Sequence, residues 1–163
     1  MKRWVTGDCH FYHKNIIKYC GRPDNHTELI VENLRGVARK EDVIYFLGDV
    51  HFGTESQLRD ILCSIKGRKY LIRGNHDRWT DTKYLLCGFS GVFDALSVAN
   101  FYMTHQPVIH HNGMVNLHGH LHNLGYDNVK MFKQSYKQHF DSMHRLYSPE
   151  IEGYKPRVLE SFI

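Results

Sequence analysis

Hydrophobic residues in the first half of the chain fall into short blocks, and three of these blocks each stop at a polar cluster. The blocks are rich in β-branched or aromatic residues, as buried strands are. They span Arg3–Thr6, Val43–Leu47 and Lys69–Ile72, and the polar residues that follow them include Gly7-Asp8, Gly48-Asp49 and Gly74-Asn75. We therefore predict three buried strands, each followed by a polar loop.

Between these strands the apolar residues recur every three or four positions, which predicts helices over Thr27–Lys40, with Thr27 as N-cap, and over Glu55–Ile65. The resulting order of strand, helix, strand, helix, strand is typical of an α/β fold with parallel strands and right-handed crossovers. Ligands of such sheets bind at the carboxyl ends of the strands. We therefore expect Asp8, Asp49 and Asn75 to converge.

The second half of the chain has shorter strand candidates separated by brief turns, which predicts a second, more antiparallel sheet. These candidates are Val92–Phe93, Leu96–Val98, Phe101–Thr104 and Met114–His118, with a last edge strand at Val158–Phe162. The polar segment Asp127–His139 is compatible with either a long loop or a short helix. We expect one domain over residues 1–163.

Composition places the chain among ordinary globular proteins, with 42% hydrophobic and 23% charged residues. The sequence has no apolar run of the length of a signal peptide or membrane helix, so we expect a cytoplasmic protein that does not enter the membrane. Its four cysteines form no CxxC pair, which favours reduced thiols. The net charge of +4 is compatible with an ordinary solvated surface, even with the lysines at 130, 133 and 137.

Histidine is unusually frequent, at 13 of 163 residues, and it is the commonest metal ligand. Taken singly, each polar cluster is ambiguous. Asp8-Cys9-His10 is compatible with a helix cap beside a surface histidine, and Gly74-Asn75-His76-Asp77 with a plain turn. The alternating His118, His120 and His122 would share one face of a strand.

Five clusters occur in a fixed order, each after a predicted strand, and together they are far more specific than any one of them. They are Asp8-Cys9-His10, Gly48-Asp49, Gly74-Asn75-His76-Asp77, His105-Gln106-Pro107 and Gly119-His120-Leu121-His122. This set resembles the calcineurin-like metallophosphoesterases. The stretch from Asp8 to Pro23 further resembles a branch of small bacterial and phage members of that superfamily.

The resemblance implies an α/β fold, a two-sheet αββα sandwich of mixed β-sheets flanked by helices. It also implies two divalent metal ions. Carried over by motif position, the ligands of one ion would be Asp8, His10 and His122, those of the other Asn75, His105 and His120, and Asp49 would bridge the two. Mn²⁺ is the expected ion, with Fe, Zn²⁺ and Ni²⁺ as alternatives, because mixed oxygen and imidazole ligands select poorly among them.

The resemblance implies hydrolysis of a phosphate ester, because two metal ions can share a water, lower its pKa and neutralise the phosphoryl oxygens. His76 would then lie beside the leaving-group oxygen as its acid. Asp77 would either orient His76 or cap a helix. Arg22 is the candidate phosphate contact, and His13 would line the pocket or lie on the surface.

The run from Gly48 to Gly53 has His51 where the protein Ser/Thr phosphatases of this superfamily have a further Asp-Arg pair, which argues against protein phosphatase activity. We therefore expect a metal-dependent phosphodiesterase or phosphatase that acts on a phosphodiester or nucleotide-type small substrate. The alternatives are a catalytically idle binding scaffold and a small nuclease for single-stranded nucleic acid. We do not expect long nucleic acid as a partner, and the sequence leaves the oligomeric state open.

Overall fold

The computed structural model describes residues 1–109, 111–124 and 142–163. The predicted segment Asp127–His139 and the lysines at 130, 133 and 137 lie outside these ranges. In chain order the regular elements are β1 (Arg3–Thr6), α1 (Lys14–Cys20), α2 (His26–Val37), β2 (Val43–Phe46), α3 (Glu55–Ser64), β3 (Arg68–Ile72), α4 (Asp81–Cys87), β4 (Gly91–Phe93), β5 (Ala95–Val98), β6 (Phe101–Thr104), β7 (Val115–His118), β8 (His144–Leu146) and β9 (Arg157–Val158).

The first sheet has the strand order β4-β3-β2-β1-β9. Strands β1 to β4 pair in parallel, as predicted for the first three, and β9 is antiparallel to β1. The assignment of Val92–Phe93 to the second sheet is wrong, because β4 continues the first sheet beside β3. The helix α4 between β3 and β4 completes a further parallel crossover that the sequence analysis missed.

The second sheet has the order β5-β6-β7-β8 and is not mainly antiparallel as expected. Among its described strands, β5 and β6 form the antiparallel pair, whereas β6 pairs in parallel with β7, and β7 with β8. The reason is the connection from β6 to β7, which is too long for a hairpin and brings the chain back to the starting end of the sheet. The predicted α/β class, with two mixed sheets flanked by helices, is confirmed.

Two hydrophobic clusters hold these layers together. In the first, Leu34 of α2 and Leu58 of α3 pack on the face of the first sheet that carries Ile44 and Phe46. In the second, the opposite face of that sheet packs on the second sheet, with Val5, Val43, Tyr45 and Ile72 on one side and Phe101, Met103, Val115 and Leu117 on the other. Because residues alternate between the two faces of a strand, each central strand serves both clusters.

The helices begin and end close to the predicted positions, but the predicted cap of α2 is wrong. The helix starts at His26 after Asn25, and the Thr27 hydroxyl instead accepts a hydrogen bond from the backbone N–H of Tyr12 at 3.0 Å. This hydrogen bond ties α2 to the loop after β1. Helix α3 begins at a capping box in which Thr54 and Gln57 bond each other's backbone N–H groups.

The C-terminal segment differs from the predicted edge strand over Val158–Phe162. Only Arg157–Val158 pairs with β1, and Leu159–Phe162 forms a 3₁₀ turn whose Leu159 and Phe162 are buried between the sheets. All four cysteines are free thiols, as predicted. Across the described ranges, we find no helix with both the length and the hydropathy that crossing a membrane requires.

Candidate metal centre

The loops that follow the parallel strands of both sheets meet between the carboxyl ends of those strands. Asp8 follows β1, Asp49 follows β2 and Asn75 follows β3, while His105 and His120 follow β6 and β7 of the second sheet. Backbone hydrogen bonds connect neighbouring loops, from Asp8 N–H to the Gly48 carbonyl at 2.9 Å and from Gly119 N–H to the His105 carbonyl at 3.0 Å. The predicted convergence of these polar loops is therefore present.

One group of possible ligand atoms comes from Asp8, His10 and His122, whose atoms lie within 4.8 Å of one another. Asp8 and His10 are buried, and Asp8 Oδ1 lies 3.8 Å from His122 Nε2. This is the set that the resemblance assigns to one metal ion.

A second group comes from Asp49, His105 and His120, again within 4.8 Å of one another. The Nδ1–H of His105 donates to the Leu47 carbonyl at 2.7 Å, so its Nε2 faces the centre. There His105 Nε2 lies 3.0 Å from both Asn75 Oδ1 and His120 Nδ1. The resemblance assigns Asn75, His105 and His120 to the other metal ion.

The Asp49 carboxylate lies between the two groups. Its Oδ2 is 3.4 Å from His105 Nε2, 3.7 Å from His10 Nε2 and 3.9 Å from His76 Nε2. One oxygen atom therefore faces imidazoles of both groups, which is the position that a bridging ligand would take.

The Asp8 and Asp49 carboxylates also hold backbone groups in place. Asp8 Oδ2 accepts the N–H of His120 at 2.8 Å, and Asp49 Oδ1 accepts the N–H of His76 at 2.8 Å. Each carboxylate thus uses one oxygen to fix a loop from another strand and directs its second oxygen toward the centre.

These residues fit a divalent metal ion in burial and in chemistry. Within residues 1–109, 111–124 and 142–163, the buried side-chain atoms without a hydrogen-bond partner include Asp8 Oδ1 and His10 Nε2, both in the first group. Unpaired buried polar atoms are costly, and a cation between them would supply the missing partner. Carboxylate, amide and imidazole donors suit first-row transition metals.

In the metal-free protein, protons on two histidines partly balance the buried carboxylates. Burial lowers the pKa of His105, but the hydrogen bond to Asp49 and the charges of Asp8 and Asp49 outweigh it and raise the pKa to about 9. For His122, burial is likewise outweighed by Asp8, Cys20 and Glu150, and its pKa rises to about 10. A metal ion would have to displace these protons.

The backbone is strained at most of the predicted ligands. Residues with left-handed φ angles include Asp8 (46°), His10 (47°), Asp49 (49°), His120 (71°) and His122 (49°). This region is disfavoured for residues with a side chain, although Asp, Asn and His tolerate it best. It also excludes the alternative in which His118, His120 and His122 share a strand face, since the extended backbone of β7 stops at His118.

The Asp77 carboxylate lies beside Asp49. Its buried carboxylate accepts the backbone N–H groups of Asp49 and Gly74, each at 2.8 Å, and of Val50 at 3.0 Å. Burial raises the pKa of Asp77, and the three hydrogen bonds oppose that rise. Asp77 therefore joins the loop after β2 to the turn after β3 and holds the backbone of Asp49, while its role toward His76 stays a prediction.

His76 and His13 both lie at the cavity that opens beside the centre. The cavity has a volume of about 620 Å³, and its lining residues include His10, His13, Asn15, Ile16, Tyr19, Phe52, His76 and His122. The His76 side chain is 43% exposed, so it is open to a bound molecule. His13 stacks on Phe52 with ring centroids 3.9 Å apart, and its Nδ1 lies 3.0 Å from His10 Nδ1.

Arg22 is directed into the protein and does not face this cavity. Its guanidinium donates to the Asp8 carbonyl at 2.7 Å, to the Cys9 carbonyl at 2.9 Å and to Glu150 Oε1 at 2.7 Å. Its side chain has no exposed surface. This placement does not favour the predicted phosphate contact, because the donors are already used to fix the loop after β1.

Glu150 is the residue near the centre that the sequence analysis missed. Burial would raise its pKa, but the hydrogen bond from His122 and the charge of Arg22 lower it to about 2. No motif marks Glu150, which lies in an irregular segment between β8 and β9.

His51 is also near in sequence to the centre, but it is buried against Trp79, where burial lowers its pKa to about 4.

Comparison with known proteins identifies a matching family and related proteins. A family model described as calcineurin-like phosphoesterase matches residues 1–158. An uncharacterised protein of Methanocaldococcus jannaschii is 30% identical over 172 residues, covering 99% of this chain and 89% of its own. The gene 66 protein of Mycobacterium phage D29 is 30% identical over 156 residues, covering 73% of this chain and 77% of its own.

The fold also matches a solved structure. A protein of unknown function from Aquifex aeolicus superimposes with a TM-score of 0.73 at 23% identity, and the match covers 98% of this chain and 96% of that one. At this level of identity the likeness concerns the fold alone.

The close approach of Gly74 to Asp49 gives a test of how tightly the centre is built. A Cβ at Gly74 would lie 2.2 Å from Asp49 Oδ1 and 2.3 Å from its backbone nitrogen. We expect Gly74→Ala to lower the free energy of unfolding of the metal-free protein by about 1–3 kcal/mol, measured by urea denaturation.

Gly36→Ala is the matched control. Gly36 lies inside α2, and a Cβ there meets nothing within 4 Å. This variant should be about 0.5–1 kcal/mol more stable than the wild type, because alanine favours the helix. If Gly74→Ala and the wild type have the same midpoint of urea denaturation, the loops that carry Gly74 and Asp49 are packed more loosely than described.

Proposed function

The chain belongs to the calcineurin-like phosphoesterase family, and on that premise we propose that it hydrolyses a phosphate ester with the help of two divalent metal ions. The observation that carries this proposal is the position of Asp49 Oδ2, which faces His10 on one side and His105 on the other. Metal-dependent phosphoester hydrolysis is the general activity of the family.

We assign Asp8, His10 and His122 to one ion, Asn75, His105 and His120 to the other, and Asp49 to both. Bound there, two divalent ions would activate water for attack on phosphorus and neutralise charge on the phosphoryl oxygens. The protein need not supply a nucleophile of its own. Mn²⁺ is the ion that we propose, with Fe, Zn²⁺ and Ni²⁺ as alternatives, because this donor set does not select strongly among them.

His76 is the proposed acid for the leaving group. Its backbone N–H is fixed by Asp49 Oδ1 at 2.8 Å, while its ring is exposed to the cavity. A ring held at the edge of the centre can donate a proton to an oxygen that departs from phosphorus. Asp77 supports it indirectly, because the carboxylate holds the loop of Asp49, and we propose no proton transfer for Asp77.

The cavity favours a small ester with an apolar or aromatic group next to the phosphate. Ile16 and Tyr19 of α1 and the ring of Phe52, which stacks on His10, are the apolar residues that line it. A volume of about 620 Å³ is typical of a site for a small molecule. We therefore propose a phosphodiester or a nucleotide as the substrate class, with the base beside Tyr19 and Phe52, and with His13 as a lining residue.

The same environment favours a diester over a monoester. His51 is packed against Trp79 and Arg22 is turned inward, so neither adds a positive charge at the cavity to hold a dianionic phosphate. We propose phosphodiesterase activity ahead of phosphatase activity. The cytoplasmic location and the single domain stay predictions from the sequence.

Two other functions remain as alternatives, an idle binding scaffold and a nuclease for short single-stranded nucleic acid. All the predicted ligands and His76 are present and brought together, which favours an active enzyme over a scaffold. A nuclease that binds several phosphates would lose affinity steeply as salt is added, whereas a nucleotide hydrolase would respond mildly.

The first prediction from this proposal concerns Asp49. Asp49→Asn should lose both metal content and hydrolysis of bis-p-nitrophenyl phosphate, because a neutral amide cannot bridge two cations as a carboxylate does. Metal content is measured by elemental analysis after loading with Mn²⁺. Asp60→Asn, at an exposed position of α3, is the control and should behave as the wild type. Full activity with two ions in Asp49→Asn would refute the proposal.

The second prediction concerns pH. In the metal-free protein near pH 7, His105 and His122 carry protons, since their pKa values of about 9 and about 10 lie above that pH. Metal binding should therefore release roughly two protons per chain, and metal affinity should rise with pH until these pKa values are passed. Titration calorimetry in buffers of different ionisation enthalpy measures the number of protons. Binding without proton release would contradict the assigned ligands.

The third prediction concerns His76. His76→Ala should retain both ions and lose about 10²–10⁴-fold in rate on a nucleotide diester, where the departing ribose oxygen needs a proton. The loss should be much smaller on bis-p-nitrophenyl phosphate, because nitrophenolate departs without help. Equal losses on both substrates would mean that His76 stabilises the phosphoryl group instead, and loss of metal would make it a ligand.

A further inference from the structure

Glu150 connects the C-terminal segment to the proposed metal centre through buried polar contacts. Its Oε1 accepts hydrogen bonds from Arg22 Nε at 2.7 Å and from His122 Nδ1 at 3.3 Å, and its Oε2 accepts one from the Ser148 hydroxyl at 2.6 Å. The side chain is only 6% exposed. Both oxygens are therefore held in place from the protein side.

The two nitrogens of His122 face different groups. Nδ1 faces Glu150, while Nε2 lies 3.8 Å from Asp8 Oδ1 in the first ligand group. A neutral imidazole has one N–H and one lone pair. If Nδ1 carries the hydrogen and donates it to Glu150, the lone pair of Nε2 is left for a metal ion.

We infer that Glu150 is a positioning residue that sets the tautomer and the ring orientation of His122, and through it the affinity of the metal ion proposed at Asp8, His10 and His122. This inference rests on the proposed function. Carboxylates that accept the second N–H of a ligating histidine orient its ring and increase its basicity.

Arg22 is the reason that His122 needs the Glu150 carboxylate beside its Nδ1. Its Nη2 lies 3.5 Å from His122 Nδ1 and donates to the Asp8 carbonyl at 2.7 Å. A guanidinium has only donors, so on its own it would favour a lone pair on Nδ1, the tautomer that a metal at Nε2 does not need. Glu150 neutralises Arg22 and supplies the acceptor that reverses this preference. The same Arg22 also fixes the loop that carries Asp8, so one network orders two ligands of one ion.

The test is metal titration of Glu150→Gln and Glu150→Ala by calorimetry with Mn²⁺, on protein first stripped of metal. We expect one of the two ions to bind about 10–100-fold more weakly in these variants, because Glu150 contacts His122 of the first group. The other ion should bind as in the wild type, because His105 contacts Asn75 and His120 in the second group. Glu150→Gln keeps the size of the side chain and covers the case in which Glu150→Ala does not fold.

Glu152→Gln is the matched control, since this carboxylate lies two residues away and pairs with Arg157 at 3.1 Å. It should bind both ions normally. Unchanged affinity at both sites in folded Glu150→Gln would overturn the inference. So would an equal loss at both sites that follows the folded fraction measured by circular dichroism, because that result would assign Glu150 a general stabilising role.

Cys20 gives a further arm of the test, since its sulfur lies within 4.8 Å of the ligand atoms of His122 and Glu150. We expect Cys20→Ser still to bind two ions, because serine keeps a hydrogen-bonding atom beside His122. A lower metal content in Cys20→Ser would mean that this trio binds a metal directly, which would also overturn the inference. Failure of the wild type to bind any ion would instead refute the proposed function, so the two failures are distinguishable.

Discussion

The arrangement of the centre depends on two carboxylates that each hold a neighbouring loop. Asp8 binds the N–H of His120 and Asp49 binds the N–H of His76, and in each case the second oxygen faces the centre. Asp8 connects the first sheet to the second, and Asp49 connects two loops of the first sheet. Asp8 and Asp49, which are both proposed as ligands, thus also bring the other ligands into place. The geometry of the centre therefore depends on how the loops of the two sheets are joined.

A second set of residues keeps these carboxylates in place without facing the cavity. Asp77 accepts three backbone N–H groups beside Asp49, and Arg22 donates to two carbonyls beside Asp8. Glycines allow the loops to come this close, because a Cβ at Gly119 would lie 2.3 Å from Asp8 Oδ2. Gly74 is likewise required by the Asp49 carboxylate, whereas a Cβ at Gly48 would meet the His105 ring and the Gly74 backbone.

The sequence was informative where a pattern is local. Period and composition located the first three strands and two helices, and the order of strands and polar clusters located the side chains that converge. It failed where partners are distant in the chain. The sequence analysis missed the pairing of β4 with β3 and the parallel pairing of β7. Both depend on how the chain crosses between strands, and hydrophobic periodicity carries no information on that. Glu150 was missed for the same reason, because its partners Arg22 and His122 lie 128 and 28 residues away.

The left-handed backbone at five of the proposed ligands has a consequence for substitution by glycine. At such positions glycine relieves strain, which is worth about 1 kcal/mol or more at each site. At Asp8 and Asp49 this relief is opposed by the loss of the hydrogen bonds to the His120 and His76 N–H groups. At His10 and His120 the imidazole is exchanged for a more relaxed backbone, so a chain without the proposed ions could fold better than the one that binds them.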